Sequence, residues 1–562
     1  MNYIKDLAKR FFPPGPGGAG VSAGFIFFFA AALCVYAVTV CSPPSFEPRL
    51  SLYVDQSSIY WMQAFWNPAL FRGDPMASFY LSHIGPLKPE SAWVWLTTLF
   101  FKVHPYTSGL KLLSVLACAA SALMVRRLAL ASPARPAAGA AAILFTVYFL
   151  SMDTFFGVPR VYGVLIFLGF AWALEAGRFL LLPALIALCF VFYPAASVGL
   201  AVSGALVPFF FRKEFSAGRL LPRYLTALAA GAVFCLLVLS QSVALKNLPQ
   251  AMGAGSVFQD QKLYQMVDAP ISPRNPMDAV LYFALNINEH GRLYALFTAL
   301  LVLVCFRSLL AVPKRPFILP RSVPALLAGC GAAFLLLYPF HPVSASRQAV
   351  FIIPLTLVFL AAGGFMATFR ERFRAVAAAA VCAALFLVLH PRLNATFSMR
   401  GFREAYGFIG GLPEDSVIAG YPSSDFIYTV PVFAGRRIFL SDNNADQEML
   451  LLGGLESFSR RRISLLEALY CARPDASARL AAEHGAAWLL FEKQYYTEEF
   501  LAKVRKSAFP GDQRLAALFA AGADPAACYA AASGKAAFAW RNGSSEGFAV
   551  PPAAAAEGHA AK

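Results

Sequence analysis

Apolar residues recur in blocks of about one membrane crossing between residues 21 and 391. A spanning helix needs about 20 such residues. The blocks fall near 21–41, 110–130, 136–152, 161–177, 179–193, 195–211, 224–243, 292–310, 322–340, 348–368 and 375–391. The pattern predicts a polytopic α-helical membrane domain over 1–392 with about 11 transmembrane helices. The fifth and sixth blocks are short and divided by Tyr193-Pro194. Lys5, Lys9 and Arg10 precede the first block, as in a signal peptide. Ten further spans and no convincing small-residue cleavage site favour an uncleaved anchor.

Two long polar stretches interrupt the spans, 42–109 and 244–291. In the first, Ile59, Met62, Phe65/Trp66 and Leu70 follow Asp55 at helical spacing, and Asp55-Gln-Ser-Ser reads as a helix start. A second helix is predicted over 90–103, too short to span. It should lie along the membrane surface with Trp93 and Trp95 as interfacial aromatics. Beyond 392 the blocks shorten to those of an α/β domain over 393–535. A helix at 400–411 leads to strands VIAGY and RRIFLS, helices near 445–459, 463–472 and 475–484, and a strand AAWLLFE. FAGRRIFLSDNNAD reads as a polar, exposed turn. Residues 536–562 end in PPAAAAEGHAAK, a low-complexity tail expected to be disordered.

Composition agrees with a membrane chain. Of 562 residues, 58% are hydrophobic and 14% charged, against about 25% charged in soluble domains. The net charge of +16 is unevenly spread. Residues 393–562 hold 17 basic and 18 acidic side chains, and residues 1–392 hold 30 and 13. The excess gathers in alternate short loops: Arg126, Arg127 and Arg135; Arg178; Arg212, Lys213, Arg219 and Arg223; Arg307, Lys314, Arg315 and Arg321; Arg370, Arg372 and Arg374. Short basic loops stay cytoplasmic. The expected N-terminus is therefore cytoplasmic. Loops 42–109, 153–160, 244–291 and 341–347 and the domain after 391 are expected to be extracytoplasmic. The charge is then a topology signal, which removes nucleic acid as a partner.

Eight of ten cysteines lie in or beside apolar runs, where a thiol packs as a small hydrophobe. Cys471 and Cys528 lie outside them, as a bridge or as two free thiols. No CxxC, HExxH, DxD or phosphate-binding GxxxxGK[ST] pattern occurs. No metal ligands are assigned. A divalent metal is compatible with the chemistry below, but no motif requires one.

Asp55, Tyr60, Ala64, Phe71, Asp74 and Pro86, after a first span and with two surface helices, resemble the outer loop of the GT-C superfamily of membrane glycosyltransferases. FFGVPRVYGVLIFLGF, HPVSASRQAVFIIPLTLVFLAAGG and LPEDSVIAGYPSSDFIYTVPVFAGRRIFLSD resemble segments of bacterial membrane proteins with GT-C-like architecture. The resemblance implies transfer of a sugar from a polyprenyl-phosphate-linked donor to an acceptor at the outer face of the cell (inner) membrane. The acceptor's class (glycan, lipid or protein) stays open. By motif position Asp55 is the base that takes the acceptor's proton. Asp153, in the next outer loop, is the second carboxylate. The anionic leaving group calls for cations: Arg160, which also reads as an interfacial partner of Asp153, and Arg347, which also reads as a snorkelling residue. Asp74 in FRGDP also reads as a turn residue. His83 shares the first loop with Asp55, and Arg274 lies in the loop 244–291. Two other functions share this layout: a non-catalytic GT-C-like protein of envelope glycan assembly, and a lipid-linked glycan transporter or flippase. The last would keep ionisable residues at mid-bilayer depth, and these spans hold almost none.

Overall fold

The computed structural model describes residues 51–52, parts of 60–81, 91–101, 106–151, 159–240, 319–337, 342–368, 397–442 and 455–551, with short breaks in some of these. The expected spans 21–41, 292–310 and 375–391 and the loop 244–291 lie outside the described residues.

The helices follow the apolar blocks. A short helix α1 (Ser91–Phe101) precedes α2 (Tyr106–Leu130), α3 (Ala138–Ser151), α4 (Pro159–Glu175), α5 (Leu182–Phe192), α6 (Pro194–Phe210) and α7 (Leu220–Ser240). After a gap come α8 (Ser322–Leu337) and α9 (Pro342–Thr368). Proline stands in the first turn of α5 and of α6, where its missing N–H costs nothing. Among the described residues, Leu220–Val238 is long and apolar enough to cross a membrane, and shorter apolar helices include Ala196–Phe210 and Ser322–Leu337. Phe209, Leu236, Leu335 and Leu336 point outward, as a lipid-facing surface requires.

Two contacts show how the bundle closes. Gly199 and Ser203 form a small-xxx-small step on α6, and Gly329 of α8 lies directly on Ser203. In lipid, such steps let backbones approach and gain dispersion contacts. Gln348 on α9, almost fully buried, accepts from the Gly199 N–H at 2.9 Å. At one end of the bundle, Arg321 pairs with Glu214 at 2.7 Å, and Glu175 accepts from the Ser322 N–H at 3.0 Å. The loops expected to share a side thus meet there. The starts of α4, α6 and α9 lie at the other end, on which the C-terminal domain sits.

That domain is built on a five-stranded sheet of order β4-β3-β5-β7-β6, from β3 (Val417–Ala419), β4 (Arg437–Ile438), β5 (Ala486–Glu492), β6 (Phe538–Asn542) and β7 (Ser545–Val550). β3 is parallel to β4 and β5, and β7 is antiparallel to β5 and β6. Helices α10 (Arg403–Gly410) and α11 (Asp425–Phe433) cover one face. The other carries α12 (Leu455–Leu469), α13 (Ala476–His484) and further helices up to Ser533.

Four expectations change here. The hairpin β6–β7 lies in the stretch expected to be a tail, because Trp540 and Ala549 pack on one face of the sheet and Phe548 and Val550 on the other. α11 was not foreseen, since IYTVPVF is rich in β-branched residues. Ser424, whose hydroxyl accepts from the Ile427 N–H at 3.3 Å, caps it as a helix, and burial holds it. The turn FAGRRIFLSDNNAD is half to fully buried over its described part, with Arg436, Ser441 and Asp442 less than a tenth exposed. The two buried charges there, Arg436 and Asp442, have hydrogen-bond partners, as burial demands. Arg436 donates to the carbonyls of Gly410, Leu412, Ala434 and Gly435. Asp442 accepts from Arg462 at 2.9 and 3.0 Å and from Ser423 at 2.5 Å. Finally, Trp93 is buried, and only Trp95 faces outward. Cys471 and Cys528 form a disulfide.

Candidate functional site

The first loop, the bundle and the sheet domain meet around one apolar cluster. Tyr60, Trp61 and Met62 from a 3-10 turn (Tyr60–Phe65) pack with Trp93 of α1, Tyr162 of α4 and Val432 of α11. Just before them, β1 (Ser51–Leu52) pairs antiparallel with β2 (Phe397–Ser398), which opens the sheet domain. Gly435, after α11, comes so close to Leu70 that a Cβ there would lie 3.1 Å from Cδ2 of Leu70.

Two of the expected cations lie on α4 and α9, which meet at Gly163. A Cβ on Gly163 of α4 would meet Tyr193 Cδ1 at 2.6 Å and Phe351 Cε2 of α9 at 3.3 Å, so the two helices touch here. Arg160 precedes Gly163 by three residues and Arg347 precedes Phe351 by four. Each therefore lies one turn above that contact, on the touching face of its helix. Both arginines are half-buried, and Arg160 keeps a partner in the structure. α4 begins at Pro159, next to Arg160, and α9 at Pro342, five residues before Arg347; helix starts carry partial positive charge. The start of α6 at Pro194 adds a third.

Asp74 lies in the same loop and is 3% exposed. Its Oδ2 accepts from the Tyr60 hydroxyl at 2.8 Å and its Oδ1 from the Ala77 N–H at 3.0 Å. It thus braces the turn that follows Phe71, whose φ is 61°. Asp55, Asp153, His83 and Arg274 lie outside the described residues. Asp55 follows Leu52 of β1 by three residues, and Asp153 follows the end of α3 by two.

A second polar group gathers at the carboxyl ends of the parallel strands, the usual ligand side of such sheets. Ser423, Ser424 and Asp425 follow β3, Asp442 follows β4, and Glu492 ends β5. Burial pushes the Glu492 carboxyl up to about 7, and Asp425 adds to the rise. Burial also raises Asp425. The sequence carried one clue to this group, a carboxylate closing the strand AAWLLFE, but its partners come from distant segments. Among the described residues, no group of three or more His, Cys, Asp or Glu could hold a metal.

No family model and no curated protein matches the sequence. Solved structures do. The crystal structure of the Archaeoglobus fulgidus oligosaccharyltransferase in the apo form matches 88% of this chain and 72% of its own, at 12% identity and a TM-score of 0.52. The same enzyme tethered with an acceptor peptide containing the NVT sequon gives 11% identity, the same coverage and a TM-score of 0.49. Its complex with an inhibitory peptide and a dolichol-phosphate gives 10%, 87%, 72% and 0.47. The apo match is a likeness of fold.

Proposed function

We propose that the chain is an integral membrane glycosyltransferase that moves a sugar from a polyprenyl-phosphate-linked donor to an acceptor. The reaction takes place at the membrane face on which the sheet domain sits. The observation that carries this reading is the contact of α4 and α9 at Gly163 and Phe351, with Arg160 three and Arg347 four residues before it, in a chain whose fold is like that of an oligosaccharyltransferase. The donor's lipid tail stays among the exposed apolar side chains of the bundle, and its phosphate meets the two guanidiniums. Asp55 takes the proton of the acceptor hydroxyl as that oxygen attacks the anomeric carbon. The bond from the anomeric carbon to the phosphate oxygen breaks, and its electrons leave with the lipid phosphate. Asp153 orients the acceptor or the sugar, with His83 and Arg274 as further contacts. The arginines stabilise charge that grows on the leaving phosphate, so they favour the transition state over the bound donor.

The Cys471–Cys528 disulfide supports an oxidising, extracytoplasmic location for the sheet domain, and with it a cytoplasmic N-terminus in a bacterial inner membrane. The sheet domain would then present the acceptor above the bundle. A test is steady-state transfer from a polyprenyl-phosphate sugar by the full chain in lipid nanodiscs. Arg160→Ala and Arg347→Ala should each lower kcat/KM by one to two orders of magnitude, about 1.4–2.7 kcal/mol. Unchanged kcat/KM in both would remove the phosphate role.

A further inference from the structure

At the end of the bundle away from the sheet domain, the α4–α5 and α6–α7 connections pack on each other through four buried rings. The Phe179 ring lies 5.3 Å from Phe211 and 4.8 Å from Phe215, and Phe215 lies 5.2 Å from Tyr224. None of the four is more than 5% exposed. The Tyr224 hydroxyl donates to the Gly204 carbonyl of α6 at 2.7 Å. α4 stops at a glycine cap. Gly177 has a φ of 67°, its N–H donates to the Leu174 carbonyl, and the Arg178 N–H donates to that of Ala173. Both connections are thus held in place by the core of the bundle.

A basic residue stands beside three of these rings in sequence: Arg178 before Phe179, Arg212 after Phe211, and Arg223 before Tyr224. Lys213 and Arg219 lie between the last two. The rings point inward and all five cations are exposed. The contact of Phe179 with Phe211 sets the Arg178 and Arg212 backbones on adjacent segments, so two long side chains can reach one head group. The nearby carboxylates are engaged elsewhere: Glu214 pairs with Arg321, and Glu175 accepts from the Ser322 N–H. Arg178 lies over the Trp172 ring at 5.5 Å, and among the described residues none of the five makes an ion pair. The ends of α4 and α6 supply about half a negative charge each, which five cations exceed several-fold.

Topology alone asks for basic residues at one end of the spans. It asks neither for a folded platform beneath them nor for bare apolar side chains beside them. Here Leu180 and Leu181, just after Arg178, are 48% and 44% exposed. Phe209 and Phe210, just before Phe211 and Arg212, are 78% and 39% exposed. The cations therefore border a lipid-facing surface on both connections.

We propose that this corner binds an anionic phospholipid of the leaflet opposite the sheet domain. The lipid phosphate meets Arg178, Arg212 and Lys213, and Arg219 and Arg223 add to the attracting field. The acyl chains lie along Leu180, Leu181 and Phe209. A free phosphate would make no use of that apolar border. The site lies at the opposite end of the bundle from the starts of α4 and α9, so it is separate from the donor and independent of the reaction catalysed.

The test uses the full chain in detergent, stripped of lipid, with binding read by native mass spectrometry. The probes are cardiolipin, phosphatidylcholine and inorganic phosphate. Cardiolipin should bind about tenfold or more tightly than phosphatidylcholine, and inorganic phosphate at matched concentration should not displace it. Arg178→Gln, Arg212→Gln and Lys213→Gln together should weaken cardiolipin about 100-fold, at about fivefold per cation. Arg370→Gln, Arg372→Gln and Arg374→Gln remove the same charge from another basic loop, and screening should hold their effect below about threefold. The Leu181→Ser, Phe209→Ser pair keeps every cation and should weaken cardiolipin about tenfold by removing apolar contact. If the first triple variant does not fold, this pair decides alone. Equal losses in the two triple variants would mean diffuse attraction and overturn the proposal. So would cardiolipin bound no better than phosphatidylcholine, displacement by inorganic phosphate, or unchanged binding in the Leu181→Ser, Phe209→Ser pair.

Discussion

Tyr60 donates its hydroxyl proton to Oδ2 of Asp74 at 2.8 Å, while the Ala77 N–H holds Oδ1 at 3.0 Å. Both carboxylate oxygens serve the loop's own shape. Tyr60→Phe leaves a buried carboxylate oxygen short of a donor, which costs about 1–3 kcal/mol. The expected result is a lower Tm with an unchanged donor KM in the folded fraction. A raised KM at unchanged Tm would instead make this pair a substrate contact.

Gly163 has no room for a methyl group, since Tyr193 Cδ1 would lie 2.6 Å away. Gly163→Ala must push α4 from the α5–α6 junction and from Phe351. Overpacking of this kind costs about 1–3 kcal/mol. It should also separate Arg160 from Arg347 and raise donor KM by more than the stability loss accounts for. Thermal unfolding and transfer kinetics on the same preparation separate the two effects.

The disulfide between Cys471 and Cys528 closes a segment of 57 residues. In the chain-entropy picture such a link stabilises by about 4 kcal/mol. The Cys471→Ser, Cys528→Ser double variant should lower the melting temperature of the sheet domain. Mild reduction of the native chain should do the same. Limited proteolysis measures both, and it should leave the helix bundle intact.

The folded Glu492 carboxyl titrates near 7, above its ordinary value of 4.5. An acid raised in this way stabilises the fold fully below about 4.5, and that stability is lost as pH rises through about 7. The Tm of the sheet domain should therefore fall between these limits. Glu492→Gln should remove that part of the pH dependence. An unchanged slope in this variant would mean that other groups set it.

Much of the bundle was legible in the sequence because apolar block length reports directly on helices that face lipid. Block 161–177 became α4 and block 322–340 became α8, each to within three residues at either end. The sheet domain was less legible. IYTVPVF has strand-like residues, yet a serine cap and burial make it α11. The hairpin β6–β7 hides its apolar positions among alanine, glycine and serine. At the candidate site, spacing could suggest Arg160 and Arg347 singly. That their helices meet depends on a glycine three residues after one and a phenylalanine four residues after the other, a tertiary contact that no local pattern encodes.

The most direct measurement is single-turnover sugar transfer by Asp55→Asn, in nanodiscs, with saturating polyprenyl-phosphate-linked donor and a hydroxyl acceptor. General-base catalysis contributes about 10²–10⁴-fold. Asp55→Asn should lose that much rate while donor binding and Tm stay at the native values. A folded Asp55→Asn protein that transfers sugar at the native rate would contradict the assignment of Asp55 as the base.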